Sequence, residues 1–133
     1  MHDRFSVRRD RLRRALRKPN ADAILITDFT NVTYLTGFTG DDSYLLVLRE
    51  GQILISDGRY TTQLAEECPG LDLFIRRPGV TMFQAIKRVL GSTRVRRLAI
   101  EADAMSVALR DRIAADSPRV EIAPTSGLVE RLR

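Results

Sequence analysis

Few side chains in this 133-residue sequence could perform catalysis by themselves. His2 is the only histidine, and it stands beside the first methionine, where a chain end is often poorly ordered. A Ser-His-Asp or Cys-His arrangement needs an ordered imidazole, so we do not expect nucleophilic catalysis of that kind. Cys68 is the only cysteine, which excludes an internal disulfide and the usual Cys/His zinc sites. We expect Cys68 to pack at the end of a helix.

Carboxylates are the remaining candidates, because several of them follow predicted strands at the edge where α/β folds bind ligands. Two or three of them could share a Mg²⁺ ion, although acidic side chains at strand ends are also ordinary turn and cap residues. A phospho-acceptor domain would need a nearby lysine, but Lys18 and Lys87 both lie on predicted helices. The glycine fingerprints of nucleotide-binding loops do not occur in the sequence. The carboxylates considered are Asp28, Asp41, Asp42, Asp57, Glu101 and Asp103.

The run Asp57-Gly58-Arg59-Tyr60 is more specific than any single acid. Asp57 can cap the helix that follows it, and Arg59 lies on the first turn of that helix. Arg59 could bind a carboxylate with two parallel hydrogen bonds, or it could form an internal pair with Asp57 that orders the loop.

The elements that must position these residues alternate between helices and strands. The pattern predicts strands at 23–27, 44–48, 52–56, 71–75, 98–100 and 120–122, with a hairpin joining the second and third. Helices are predicted at 6–18, at 59–67, at 82–90 with Gly91 just past its end, and after Ser106; a short helical or irregular turn is predicted at 31–35. Thr125 or Ser126 could cap a terminal helix through Leu132. This order predicts α/β packing on a mixed sheet.

The net charge of +5 is concentrated at the N-terminus. Residues 1–18 contain eight of the 22 basic residues and two of the 17 acids, so the rest of the chain is close to neutral. This segment is either a solvated or subunit-facing helix or a nucleic-acid-binding surface. The second interpretation is the weaker one, because Phe5 is the only aromatic residue among the bases and no known binding motif follows. The bases are Arg4, Arg8, Arg9, Arg11, Arg13, Arg14, Arg17 and Lys18.

Two segments resemble the N-terminal domain of the creatinase/prolidase family, which contains the Xaa-Pro dipeptidases and aminopeptidases P among the M24-like metallopeptidases. Residues 31–38 read N-V-T-Y-L-T-G-F and are similar to the family's N-x-x-Y-L-T-G-F segment. Residues 57–64 read D-G-R-Y-T-T-Q-L and are similar to D-x-R-Y-x-x-Q-A, with Leu64 in place of alanine. The resemblance gives a structural role to Asn31, Tyr34, Leu35, Gly37, Asp57 and Tyr60.

The resemblance implies a three-layer α/β fold in which helices flank a mixed six-stranded sheet. Residues 1–124 would form this domain, and residues 125–133 would begin a linker helix towards a catalytic domain that is absent from the sequence. In such enzymes the catalytic domain holds two divalent metals, Mn²⁺, Co²⁺ or Zn²⁺, on two Asp, one His and two Glu. We therefore expect no metal, cofactor or catalytic residue in this chain, which would be either a truncated protein or a free-standing domain.

The family's N-terminal domain mediates dimer contacts and, in several members, reaches over the partner subunit's active site. The resemblance implies that the loop 38–43 borders that cleft, where acidic side chains would attract the free α-amino group of a substrate. Asp57 and Arg59 would brace the loop, and Tyr34 and Leu35 would pack it onto the sheet. The residues expected at the cleft border are Phe38, Asp41, Asp42 and Arg59.

The leading hypothesis is a non-catalytic domain of a metal-dependent Xaa-Pro peptidase, a homodimeric hydrolase of proline-containing peptides. The alternative is a small basic nucleic-acid-binding protein that uses the Arg-rich first helix. A third hypothesis is a stand-alone Asp-based enzyme that works with Mg²⁺. The single cysteine fits a reducing cytoplasm, and no apolar run approaches the roughly 18 residues of a membrane span.

Overall fold

The computed structural model describes residues 3–133, so the prediction for His2 lies outside the described part of the chain. Helices and strands alternate in the order that the sequence predicts, up to the last strand. The elements are α1 (Arg4–Ala15), β1 (Ala23–Ile26), α2 (Phe29–Thr36), β2 (Tyr44–Leu48), β3 (Gln52–Asp57), a 3-10 turn (Gly58–Tyr60), α3 (Thr61–Glu67), β4 (Leu73–Arg76), α4 (Met82–Thr93), β5 (Arg97–Glu101), α5 (Val107–Asp116), β6 (Glu121–Thr125) and a second 3-10 turn (Glu130–Leu132).

The six strands form one mixed sheet in the order β4-β3-β2-β1-β5-β6. β2 runs antiparallel to both of its neighbours, and the other neighbouring strands are parallel. The predicted hairpin and the predicted mixed sheet are therefore confirmed. Because only β2 is reversed, the C-terminal ends of the other five strands and the start of β2 share one edge, which we call the carboxyl edge.

Helices cover both faces of the sheet. Successive residues of a strand point to opposite faces, and β1 shows this directly: Ile24 and Ile26 belong to one hydrophobic cluster, Ala23 and Leu25 to the other. The first cluster includes buried residues of α1, α2 and α3, and the second includes those of α4 and α5. The predicted three-layer α/β arrangement is confirmed.

Several element boundaries differ from the sequence prediction. α1 begins at Arg4, because the carboxylate of Asp3 accepts a 2.7 Å hydrogen bond from the Ser6 backbone and caps the helix. α4 continues past Gly91 to Thr93, and Arg94 ends it in the left-handed conformation with φ 57°.

The predicted terminal helix is wrong. Thr125 lies in β6, where it pairs with Glu101 of β5, and only a 3-10 turn follows at Glu130–Leu132. Thr125 has the extended backbone of a strand paired with β5, and its hydroxyl donates a 2.8 Å hydrogen bond to the Ile100 carbonyl, so it does not cap a helix.

Candidate functional site

The carboxylate of Asp57, at the end of β3, organises the charged groups around it. Its Oδ1 accepts hydrogen bonds from the backbone N–H of Arg59 at 3.0 Å and from Arg59 Nε at 2.9 Å. Its Oδ2 accepts hydrogen bonds from Arg59 Nη2 at 2.9 Å and from Arg76 Nη2 at 3.3 Å. The bond to the backbone N–H caps the 3-10 turn that leads into α3. The Asp57–Arg59 pair considered from the sequence is therefore formed.

The loop 37–43 between α2 and β2 is tied to the same turn. Arg59 Nη2 reaches Asp42 Oδ2 at 3.2 Å, and the Tyr60 hydroxyl donates to Asp41 Oδ1. Asp41 and Asp42 are both exposed. A carboxylate has about four acceptor positions, so each of them keeps acceptors for a further donor such as an ammonium group. The Asp57 cluster, as we name it, consists of Asp41, Asp42, Asp57, Arg59, Tyr60 and Arg76.

Hydrogen bonding sets the protonation states in the Asp57 cluster. The hydrogen bond from the Arg59 guanidinium lowers the pKa of Asp57, and the charge of Arg76 acts in the same direction. The same pairing raises the pKa of Arg59, which stays protonated. The hydrogen bond to Asp41 raises the pKa of Tyr60, so its phenol stays neutral at pH 7. The cluster can thus attract a cation while its arginines remain engaged.

The side chain of Phe38 is buried. Its ring is 0% exposed and meets Tyr60 edge-on, with 5.3 Å between the ring centroids. A Cβ at Gly40 would lie 2.3 Å from the Phe38 ring, so glycine is needed where the loop crosses it. The expectation that Phe38 borders a cleft therefore does not fit its burial in this chain. Its ring anchors the loop from below.

Part of the support for this loop comes from α3 and was not predicted from the sequence. Glu67 accepts hydrogen bonds from the backbone N–H of Thr39 at 2.9 Å and from Gln63 Nε2 at 3.0 Å. The bond from Thr39 lowers the pKa of Glu67. The spacing of Gln63 and Glu67, four residues apart on α3, was the available signal, because such residues share one face of a helix. Arg76 was also missed, since nothing near it in the chain points to Asp57.

The N-V-T-Y-L-T-G-F segment forms most of α2 and the turn after it. Asp28 caps the helix by accepting a 3.0 Å hydrogen bond from the Asn31 backbone. Leu35 is fully buried in the cluster on that face of the sheet. Gly37 ends the helix with φ 81°, and a Cβ there would lie 2.8 Å from the Phe5 ring. Both the backbone conformation and the space therefore require glycine.

A buried carboxylate at the end of β5 receives the side chain of Asn31. Glu101 Oε1 accepts hydrogen bonds from the backbone N–H groups of Thr27 at 2.9 Å and Asp28 at 3.1 Å. Its Oε2 accepts a 2.6 Å hydrogen bond from Asn31 Nδ2, which also donates to Glu130 Oε2 at 3.0 Å. Burial raises the pKa of Glu101, against the opposing effect of these hydrogen bonds. We call these five residues the Glu101 network.

Neither centre is arranged as a metal site or as a nucleophilic site. Within residues 3–133, no group of three or more His, Cys, Asp or Glu side chains is placed to hold a metal ion. The oxygens of Glu101 already accept hydrogen bonds from three N–H donors. Cys68 is buried at the C-terminal end of α3, and burial raises the pKa of its thiol, which disfavours the reactive thiolate.

Three arginines of α1 bind backbone carbonyls, so the interpretation of α1 as a merely solvated basic face is wrong for them. Two of the carbonyls belong to the last turn of α2, which lacks partners within the helix and attracts cations. The others belong to the β2–β3 hairpin. The pairs are Arg8 Nη1 with Tyr34 O at 2.9 Å, Arg9 Nη1 with Leu35 O at 2.8 Å, and Arg13 with Leu48 O at 2.8 Å and Gly51 O at 2.7 Å.

None of the helices formed by the described residues is long and apolar enough to cross a membrane.

Comparisons with known proteins agree with the two motifs. The family model described as the Creatinase/Prolidase N-terminal domain matches residues 8–133. Among solved structures, the N-terminal domain of the cytoplasmic peptidase PepQ from Mycobacterium tuberculosis H37Rv is 35% identical and superposes with a TM-score of 0.85. That match covers 96% of this chain and 98% of the other.

Longer proteins match over the same region. The Xaa-Pro dipeptidase from Bacillus anthracis is 26% identical with a TM-score of 0.88, over 97% of this chain and 36% of its own. The uncharacterized peptidase YqhT of Bacillus subtilis (strain 168) is 29% identical over 124 residues, which are 93% of this chain and 35% of that protein. The chain thus spans about a third of the length of these two relatives. The resemblance seen in the sequence is confirmed: the chain belongs to the Creatinase/Prolidase N-terminal domain family.

Proposed function

We propose that this chain serves as the non-catalytic N-terminal domain of a metal-dependent Xaa-Pro peptidase, of the prolidase or aminopeptidase P type, and gates the substrate cleft of a partner subunit. Residues 1–124 account for most of the domain, and residues 125–133, which complete β6 and pack back onto the core, lead towards the catalytic part. The parent protein is then a cytoplasmic homodimer that hydrolyses proline-containing peptides. Family membership supports the first half of the proposal, and one observation carries the second: Arg59 and Tyr60 hold two exposed carboxylates in a fixed loop.

The Asp41–Asp42 pair suits the recognition of a free α-amino group. A substrate ammonium about 4 Å from a carboxylate gains about 1 kcal/mol in water and more at an interface from which water is excluded. The loop is held by the buried Phe38 ring, and by hydrogen bonds to Arg59, Tyr60 and Glu67. A loop held in this way has less conformational freedom to lose when a peptide binds.

The metals of the parent enzyme belong to the catalytic part in this proposal. A pair of Mn²⁺, Co²⁺ or Zn²⁺ ions there would activate water and polarise the peptide carbonyl. Chelation should therefore abolish the peptidase activity of the parent protein and leave the unfolding midpoint of this 133-residue chain unchanged. A chain whose unfolding midpoint falls on chelation would contradict this division of labour.

Nucleic acid is not a partner in this proposal. Arg8, Arg9 and Arg13 would have to give up carbonyl partners within the domain to bind phosphates.

The gating proposal is tested in the parent enzyme by replacing both acids, Asp41→Asn with Asp42→Asn. We expect KM for a peptide with a free α-amino group to rise about threefold to tenfold, with kcat within about twofold, because the lost attraction acts equally on substrate and transition state. The matched control is Glu50→Gln, a charge loss at the hairpin turn on the opposite edge of the sheet. Unchanged KM in the double variant, for dipeptides and for longer peptides, would refute the proposed role of the loop.

The partner subunit is tested separately by sedimentation of the parent enzyme. We expect a dimer at the concentration used for the assay. A monomer with full activity would show that no neighbouring subunit is needed, and gating of a partner's cleft would then be wrong.

A further inference from the structure

The residues after β6 fold back onto the domain. Val129 is only 1% exposed, and Leu128 and Leu132 pack against the hydrophobic cluster that α1 and α2 share. We name residues 127–132 the exit segment. We infer that Asn31 and Tyr34 are positioning residues that hold the exit segment against α2, and so fix the direction in which the polypeptide leaves the sheet.

Tyr34 is fixed at both ends. Its hydroxyl donates a 2.9 Å hydrogen bond to the carbonyl of Leu132 in the exit segment. Its ring lies under the guanidinium of Arg8, whose Cζ is 4.1 Å from the ring centroid, and Arg8 also donates to the Tyr34 carbonyl. The arginine on α1 therefore sets the direction of the phenol, and the phenol holds the last turn of the described chain.

Asn31 links two carboxylates that would otherwise repel each other. Its side chain is fully buried, and its Nδ2 donates to Glu101 on the sheet and to Glu130 on the exit segment. An asparagine amide provides two N–H donors from one short side chain, which this position needs. Its Oδ1 has no hydrogen-bond partner among the described residues, so the two carboxylates alone orient the amide.

The two residues share one face of α2, because they are three positions apart on a helix. The first and fourth positions of the N-x-x-Y-L-T-G-F segment thus have one task, which is to hold the end of the chain's own domain. The same helix leads into the loop 38–43. Fixing the exit segment on α2 therefore also fixes where that loop lies relative to whatever follows the domain, a consequence that rests on the proposed function.

The contact itself is tested in the ¹⁵N-labelled 133-residue chain by heteronuclear NOE and amide exchange. In the wild-type chain we expect the backbone of residues 129–132 to be as rigid as α2. Tyr34→Phe removes only the hydroxyl, and should raise amide exchange at Arg131 and Leu132 about fivefold while leaving the strands unchanged. The matched control is Tyr44→Phe, which removes a phenol hydroxyl from a residue that packs in the opposite hydrophobic cluster and should change nothing in the exit segment.

A rescue experiment separates positioning from general support of the sheet. Asn31→Asp places a third carboxylate between Glu101 and Glu130 and should raise exchange in the exit segment about tenfold. Adding Glu130→Gln removes one repulsion and supplies an amide donor, so exchange in the exit segment should return to within about twofold of the wild-type value. The free energy of unfolding of this double variant should stay below the wild-type value, because the carboxylate introduced at position 31 is still repelled by Glu101.

Three results would overturn the inference: a wild-type exit segment with the NOE values of a free tail, equal exchange in Tyr34→Phe and Tyr44→Phe, or no rescue by Glu130→Gln. All of them are measured on this domain without a peptide substrate. Failure of the anchor is therefore distinguishable from failure of the proposed peptidase role.

Discussion

Two carboxylates, Asp57 and Glu101, each lie at the C-terminal end of a strand at the carboxyl edge of the sheet. One has charged partners near solvent, and the other has uncharged partners in the protein interior. Asp57, at the end of β3, is bonded by two guanidiniums in a cluster that opens to solvent. Glu101, at the end of β5, is buried and bonded only by uncharged N–H donors. Each carboxylate accepts at least one hydrogen bond from a backbone N–H group, Asp57 at the 3-10 turn before α3 and Glu101 just before α2. The pKa is lowered by pairing at Asp57 and raised by burial at Glu101.

This difference indicates that two carboxylates at one edge of an α/β sheet can have different roles, one in stability and one in forming a surface for other molecules. Asp57 has an exposed principal partner, Arg59, so it can be lost with limited structural damage because water replaces much of that pairing. A buried carboxylate that satisfies several N–H groups cannot be lost in this way, because those donors are left without acceptors. We therefore expect the Glu101 network to govern stability and the Asp57 cluster to govern the surface offered to other molecules.

The largest effect is expected for Glu101→Ala. The substitution leaves the backbone N–H groups of Thr27 and Asp28 and the amide of Asn31 without their acceptor, and should lower the free energy of unfolding by about 3 kcal/mol. Urea denaturation of the 133-residue chain measures this. Glu101→Gln is the control, since its carbonyl can still accept from both backbone groups while its amide opposes Asn31; the expected loss is about 1 kcal/mol. Equal losses in the two variants would show that the charge, not the acceptors, is what matters.

A smaller decrease in the free energy of unfolding is expected for Asp57→Ala, about 1 kcal/mol in low salt. Arg76 keeps its hydrogen bond to the Val80 carbonyl, and the exposed Arg59 keeps its contact with Asp42. Asp57→Asn should recover part of the loss, because the amide oxygen can still accept from the Arg59 backbone. The effect of Asp57→Ala should shrink in high salt, whereas that of Glu101→Ala should not. A loss at Asp57 as large and as salt-independent as that at Glu101 would remove the distinction between the two centres.

The pH dependence of stability should differ in sign between the two carboxylates. The lowered pKa of Asp57 means that its contribution is present above the ordinary value of 3.8 and is lost as pH falls through its folded pKa. The raised pKa of Glu101 means that its contribution is greatest below the ordinary value of 4.5 and declines as pH rises towards its folded pKa.

Urea midpoints measured across this range test both signs. The advantage of the wild-type chain over Asp57→Asn should grow as pH rises from the acid limit. Its advantage over Glu101→Gln should diminish as pH rises past 4.5. Parallel curves for the two variants would contradict the opposite causes assigned to the two shifts.

The sequence predicts the local part of this architecture well. The strand pattern and the three-residue turn at 49–51 predict the hairpin, and Asp57 with Arg59 predicts a capped turn, because each signal lies within a few residues. The motif segments point to α2 and to Gly37 for the same reason.

The missed features depend on partners that are distant in the chain. Asn31 and Glu101 are 70 positions apart, and only the pairing of β1 with β5 brings them together. Arg76 reaches Asp57 because the two residues lie opposite each other in the parallel pair of β3 and β4. The burial of Phe38 was missed because an aromatic residue between two glycines has the local signature of an exposed loop.

The smallest effect is expected at Tyr60, and it tests whether the exposed cluster is held by partners rather than by burial. Asp41→Asn removes the charged acceptor of the Tyr60 hydroxyl, so the pKa of Tyr60 should fall towards its ordinary value of 10.0. The pKa of Tyr44 is raised first by burial and should not move, which makes it an internal reference in an ultraviolet titration. An unchanged pKa of Tyr60 would mean that Asp41 does not accept the hydrogen bond from the Tyr60 hydroxyl when the protein is in solution. The loop would then be held by Arg59, Phe38 and Glu67 without Tyr60, and the contrast with the rigid Glu101 network would be sharper than the hydrogen bonds of the Asp57 cluster suggest.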